Sequence, residues 1–194
     1  MHSSIKNTSA FLAGVAAVAL AYGAALSTPS FAEKTVMVGG AEMFPSKNII
    51  QNAMHSQDHT TLVAAVKAAG LVDTLSGPGP FTVFAPTNRA FEKLPDGTVP
   101  ALLKPENKGK LTSILTYHVV PGTLTEKDLW DMVDKMGGKA ELKTVNGQSL
   151  WIKRVSDKHL AVYDPEGHAG RITISNVLQS NGVIHVIDNV VQPN

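Results

Sequence analysis

The 194-residue chain contains no cysteine. That excludes a disulfide framework, a thiol nucleophile, a zinc–thiolate site and a lipidated N-terminal cysteine, and it leaves the hydrophobic core to hold the fold. A dominant sign of charge is missing as well: 17 lysines and arginines face 16 aspartates and glutamates, for a formal net charge of +1. Without a basic stripe there is no electrostatic grip on a phosphate backbone, so nucleic acid is not an expected partner. Common catalytic motifs are also absent. The chain has no Gly-x-Ser-x-Gly elbow, phosphate-binding glycine loop, dinucleotide fingerprint, His-Glu-x-x-His or calcium loop. No catalytic residue, cofactor or metal is therefore expected, and the part expected to fold shows no repeat and no low-complexity tract.

What is present begins with a segment of export type. Lys6 lies in a short polar head, an apolar stretch runs from Ala10 to Leu26, and the small residues Ser30 and Ala32 precede Glu33. Residues 1–32 are expected to be a signal peptide cut after Ala32. The apolar stretch is short for a bilayer span and is interrupted by Gly14 and Gly23, so no stable membrane span is expected after cleavage. Cleavage removes Lys6 and no acid, leaving 16 residues of each sign in 162 residues. That length suits one core and is small for two. The expected product is a periplasmic or secreted monomer.

Residues 33–45 contain Gly39-Gly40 and Pro45 with little periodicity, and are expected to be a flexible lead-in to a domain spanning 46–194. A short helix is expected from Asn48 to Met54. A second places Leu62, Val63, Val66 and Ala69 on one side and stops at Gly70. Phe81 to Ala85 reads as a strand, blocked before by Gly77-Pro78-Gly79-Pro80 and after by Pro86. Thr87 then reads as the N-cap of a helix carrying Phe91 and Leu94. Helices are expected again from Glu106 to Thr116 and, capped by Thr125 and Asp128, through Leu129, Met132, Val133 and Met136.

After Gly137-Gly138 the pattern alternates. Glu141 to Val145 and Ser149 to Arg154 flank Asn146-Gly147, the signature of a type I′ hairpin. Leu160 to Tyr163, Arg171 to Val177 and Val183 to Val191 supply further strands. Helices followed by strands make the expected class α+β.

Three phrases in fixed order carry a resemblance: Gly79 to Asn88 (GPFTVFAPTN), Tyr117 to Gly122 (YHVVPG), and Asn181 to Asp188 (NGVIHVID). From about Ser46 to Asn194 the chain resembles a bacterial fasciclin (FAS1) domain of the secreted single-domain kind. Phe81 to Phe91 resembles the family's first box, Tyr117-His118 its Tyr-His pair, and Gly182 to Val191 its second box. The resemblance implies a wedge of two small β-sheets, about seven strands in all, flanked by helices on one side. It also implies adhesion between cells or between cell and matrix, through a protein or polysaccharide partner. Asp-Ile dipeptides that engage receptors in some animal members are replaced here by the reverse order, Ile187-Asp188, so those contacts are not carried over.

Candidate site residues have structural readings beside functional ones. His118 continues the stripe of Leu111 and Leu115. It is expected as a buried neutral imidazole, with a binding or proton-transfer pair with Tyr117 as the sharper alternative. Thr87 and Asn88 read as turn and helix cap, or as binding residues. His55 and His59 have metal-ligand spacing but straddle a break, and are expected on a surface loop. Val183, His185 and Ile187 are expected on one face of a strand. Trp130 and Trp151 are partner anchors or core filling.

The function expected is an exported, non-enzymatic module for attachment to cells or surfaces. A pocket protein for a small apolar ligand or lipid is the alternative, and a hydrolase using His118 comes third.

Overall fold

The computed structural model describes residues 34–194; the expected signal peptide and its cleavage site lie outside them. The first element corrects an expectation. β1 (Val36–Val38) and β2 (Ala41–Met43) form an antiparallel hairpin about Gly39 and Gly40, both at positive φ. Val38 and Met43 are buried in the core, and the Gln57 N–H donates to the Gly39 carbonyl at 3.0 Å. The segment read as a flexible lead-in is thus packed structure. Strands of three residues contribute one inward side chain each, too few for periodicity to reveal.

α1 (Ile49–Ala53) opens on a capping box formed by Asn48 and Gln51. A 3-10 turn (Gln57–His59) leads into α2 (Thr60–Ala69), which ends on Gly70 at φ 72°. That is the left-handed cap its sequence predicts. α3 (Val72–Ser76) is one turn too short to be read from periodicity. After β3 (Phe81–Pro86) come α4 (Asn88–Glu92), α5 (Thr98–Leu102) and α6 (Lys108–Tyr117). β4 (Val119–Pro121) then leads to α7 (Glu126–Lys135), whose start carries the expected box of Thr125 and Asp128.

The remaining strands are β5 (Lys139–Lys143), β6 (Ser149–Ser156), β7 (His159–Tyr163), β8 (Ala169–Gln179) and β9 (Gly182–Ile187). Seven strands form one sheet in the order β4-β3-β9-β8-β7-β6-β5, antiparallel throughout except for the parallel pair β3 and β9. β8 belongs to both halves of the sheet. Its ladder to β9 shifts register twice, and Asn176 stands at φ 56°, so the strand bends and the halves close into a wedge. The sheet nearly closes, because the Val145 N–H just past β5 donates to the Val119 carbonyl of β4 at 2.8 Å.

The β5–β6 connection departs from the type I′ expectation. Only Gly147 has positive φ there, at 89°; Asn146 does not. The Gly147 N–H closes the turn on the Thr144 carbonyl at 2.9 Å, and the Asn146 side chain holds the Ser113 carbonyl at 3.1 Å. This longer loop leaves Thr144 outside the ladder and ties the hairpin to α6.

Alternation along the central strands separates two cores. Ile184 and Val186 of β9 join Val83 and Ala85 of β3 beneath helices α1 to α6. Ile187 joins Phe84, Tyr117, Leu150, Ile152 and Val162 inside the curled sheet, where Leu129 and Val133 of α7 close the other side. The layer of helices is therefore divided: α7 stands apart from the rest.

Candidate functional site

α6 ends at Tyr117 and β4 begins at Val119, so the adjacent side chains of Tyr117 and His118 leave in different directions. Tyr117 is fully buried inside the curled sheet and its hydroxyl donates to the Ser149 carbonyl at 2.7 Å. Burial raises its phenol well above the ordinary range. His118 turns towards the helix-covered core. Its Nδ1–H donates to the Ile114 carbonyl at 2.9 Å, and its Nε2 accepts the Val191 N–H at 3.3 Å. Burial lowers its pKa from 6.5 to about 4, outweighing the Ile114 carbonyl that favours the cation. Both nitrogens of the neutral ring are used, leaving none to accept a substrate proton. Tyr117 and His118 meet edge to face rather than across a cleft.

Thr87 caps α4, its Oγ1 accepting the Ala90 N–H at 3.3 Å. Asn88 reaches further. Its Oδ1 accepts the Thr61 N–H at 3.0 Å, and its Nδ2 donates to the Gln57 carbonyl at 2.8 Å. α2 lacks a cap from its own preceding residue, and Asn88 supplies one across 27 positions of sequence. His55 and His59 part company at the expected break. His55 is exposed and bonds the Gln51 carbonyl, whereas His59, expected on a surface loop, is buried against Ser56 Oγ at 2.8 Å. The 3-10 turn between them rotates His59 inward, and burial lowers its pKa.

His185 is fully buried and stacks on Phe84 with ring centroids 5.7 Å apart. Its Nε2–H donates to the Leu124 carbonyl at 2.8 Å, while Nδ1 faces the Asn176 N–H at 3.4 Å. Burial lowers its pKa too. Thr82 Oγ1 accepts the Leu124 N–H at 2.8 Å and donates to the Gly122 carbonyl at 2.7 Å. These bonds pin the β4–α7 connection to the central strands.

Asn181 has a part that sequence reading missed. Its Oδ1 accepts the Ile49 N–H at 3.0 Å, and its Nδ2 donates to the Leu75 and Gly77 carbonyls, both at 2.8 Å. One turn residue thus fastens α1 and α3 to the β8–β9 corner. Only its place in the Asn-Gly pair hinted at importance, and that hint reads as a turn.

Trp130 and Trp151 lie on opposite sides of β6: Trp130 packs against the inner core from α7, and Trp151 faces outward. The helix-side core encloses an apolar cavity of about 50 Å³, bordered by Val38, Leu62, Val83, His59 and His118. That is about a third of the void known to admit benzene in an engineered core, too small for a lipid chain. Among the described residues no group of three or more histidine, aspartate or glutamate side chains is arranged to hold a metal. No described helix is long and apolar enough to cross a membrane.

Comparison with known proteins agrees with this geometry. Residues 57–193 match the model of the fasciclin domain. Protein sll1483 of Synechocystis is 45% identical over 161 residues, covering 83% of this chain and 82% of its own. Immunogenic protein MPB70 of Mycobacterium bovis is 32% identical, with 97% of this chain and 98% of its own aligned. Among solved structures, a FAS1 domain pair from the insect cell adhesion molecule fasciclin I superposes with a TM-score of 0.68 at 19% identity. The superposition covers 82% of this chain and 58% of that one. That likeness shows a shared fold; the match over residues 57–193 and the identity to these relatives establish that this chain belongs to the fasciclin domain family.

Proposed function

We propose that this chain is an exported, non-enzymatic interaction module that promotes attachment of cells to one another, to matrix or to a surface, acting as a monomer after cleavage at Ala32. The observation that supports it best is the internal use of Tyr117 and His118: the most reactive pair in the family's phrases spends its polar atoms on Ser149, Ile114 and Val191. Chemistry at such a pair would first have to break the scaffold. Recognition then falls to the exterior, where aromatic and polar groups are available to a partner. The apolar-ligand alternative is disfavoured by the small cavity.

The test is a deletion strain scored for attachment to an abiotic surface and to neighbouring cells. Attachment should fall, and should return when the full chain is expressed. A strain that attaches as well as its parent would remove the proposal.

A further inference from the structure

Helices cover only one half of the sheet's outer surface, the part built from β3, β9 and the end of β8. Across β5, β6, β7 and the start of β8 no described helix lies on the outward face, because α7 packs on the inner side of these strands. The register arranges this open face in rows. Lys139 lies directly opposite Lys153, which lies opposite Ala161, which lies opposite Arg171. In the adjoining row, Glu141 pairs with Trp151, Trp151 with Tyr163, and Tyr163 with Ala169.

A directly opposed pair of like charges weakens a sheet. Neither ammonium relieves the repulsion through an ion pair. Each rests on an aromatic face instead, Lys139 Nζ at 4.6 Å from the Trp151 centroid and Lys153 Nζ at 4.2 Å from the Tyr163 centroid. Beside these rows lies an open depression of about 540 Å³, with Ala161, Ala169 and Arg171 among its lining residues. The small alanine side chains leave room there between taller neighbours. Asp188 borders it, but one carboxylate oxygen accepts the Arg171 N–H at 2.8 Å and the other faces the Arg171 side chain at 3.6 Å.

We propose that this face binds an acidic polysaccharide, with Trp151 and Tyr163 carrying sugar rings and Lys139, Lys153 and Arg171 meeting their carboxylate groups. This deepens the interaction-module reading and rests on it. Neighbouring strands are about 4.8 Å apart, so the directly paired Trp151 and Tyr163 stand side by side at a spacing suited to consecutive sugars, which would pack on the rings as the two flexible lysines swing from them to the sugar carboxylates. An anionic chain would also offset the Lys139–Lys153 repulsion, which no ion pair relieves; Glu141 stands in the adjoining row of the same face and would lie beside the bound chain rather than under it. A protein partner is less well matched, because its hot spots favour deep, desolvated pockets whereas this face is shallow. Single-stranded nucleic acid shares the stacking chemistry but gains most from an extended basic groove, which a nearly neutral chain does not offer.

The experiment is calorimetric titration of the full chain with alginate oligosaccharides, dextran oligosaccharides of equal length, and oligothymidylate. Alginate should bind, with affinity falling as salt is raised; dextran and oligothymidylate should bind at least about tenfold more weakly. Trp151→Ala and the pair Lys139→Gln with Lys153→Gln should each weaken alginate binding on the order of tenfold. Lys127→Gln, at an exposed position of α7 on the opposite side of the sheet, should leave it unchanged. The glutamine pair keeps side-chain length and removes a repulsion, so it tests the site even if the tryptophan variant melts early. No alginate binding, equal binding of dextran, tighter binding of oligothymidylate, or unaffected variants would overturn the proposal. Cell attachment that survives loss of alginate binding would overturn it while leaving the interaction-module reading in place. Alginate binding intact in a chain that fails to restore attachment would do the reverse.

Discussion

Three histidines, at 59, 118 and 185, are buried, and burial lowers the pKa of each. A histidine whose folded pKa lies below its unfolded value favours the unfolded state once the free ring begins to protonate. Stability should therefore be intact above about pH 7 and should fall as pH drops through 6.5 towards 4, because the unfolded chain takes up protons that the native one refuses. For His118 alone, a pKa of about 4 against 6.5 corresponds to about 3 kcal/mol once pH reaches the lower value. Urea unfolding between pH 7.5 and 5.5, above most carboxylate titration, should lose up to about 1.4 kcal/mol per pH unit for each histidine protonated in the unfolded chain. His118→Ala should flatten that slope by one proton and cost about 1 to 3 kcal/mol at pH 7.5, since the Ile114 carbonyl and Val191 N–H lose their partner. A slope equal to the parent's would show that His118 titrates normally in the folded protein.

Among the secondary-structure elements, the β8–β9 corner bears the tightest constraint. Gly182 is opposite Phe81 in the parallel ladder, and a Cβ there would stand 1.9 Å from the Phe81 carbonyl oxygen, a backbone atom that cannot swing aside. Its φ of 154° adds strain for any L side chain. Gly182→Ala should force β3 and β9 apart at their start and cost several kcal/mol, about 3 or more, read as a lowered midpoint in thermal or urea unfolding. Gly97 gives the contrast: it has positive φ, but a Cβ there meets nothing within 4 Å. Gly97→Ala should accordingly cost much less, about 1 kcal/mol. Equal costs at the two positions would mean that backbone conformation, not close approach, sets the penalty.

At the scale of the whole molecule, the N-terminal hairpin is part of the core although it lies outside the 57–193 fasciclin match. Val38 and Met43 sit at 4% and 3% exposure over the helix-side core, and Val38 and Met43 also border its cavity. Deleting residues 34–45 should uncover that cavity and destabilise the protein by about 3 to 6 kcal/mol, the contribution of two buried apolar side chains. Differential scanning calorimetry of the shortened chain tests this, and an unchanged melting temperature would make the hairpin an appendage.

By itself the sequence determined the local punctuation. Gly70 ended α2, Thr125 and Asp128 boxed the start of α7, Pro86 closed β3, and alternation assigned Ile184 and Ile187 to opposite faces, because caps, turns and period-two patterns are short-range properties. The family's three phrases were legible for the same reason. Tertiary structure decided what those residues meet. Asn88 capping a helix 27 positions earlier and Asn181 fastening α1 and α3 both depend on chain segments brought together by packing. No window of sequence contains both partners of such contacts, so their chemistry emerges only when the two cores are built.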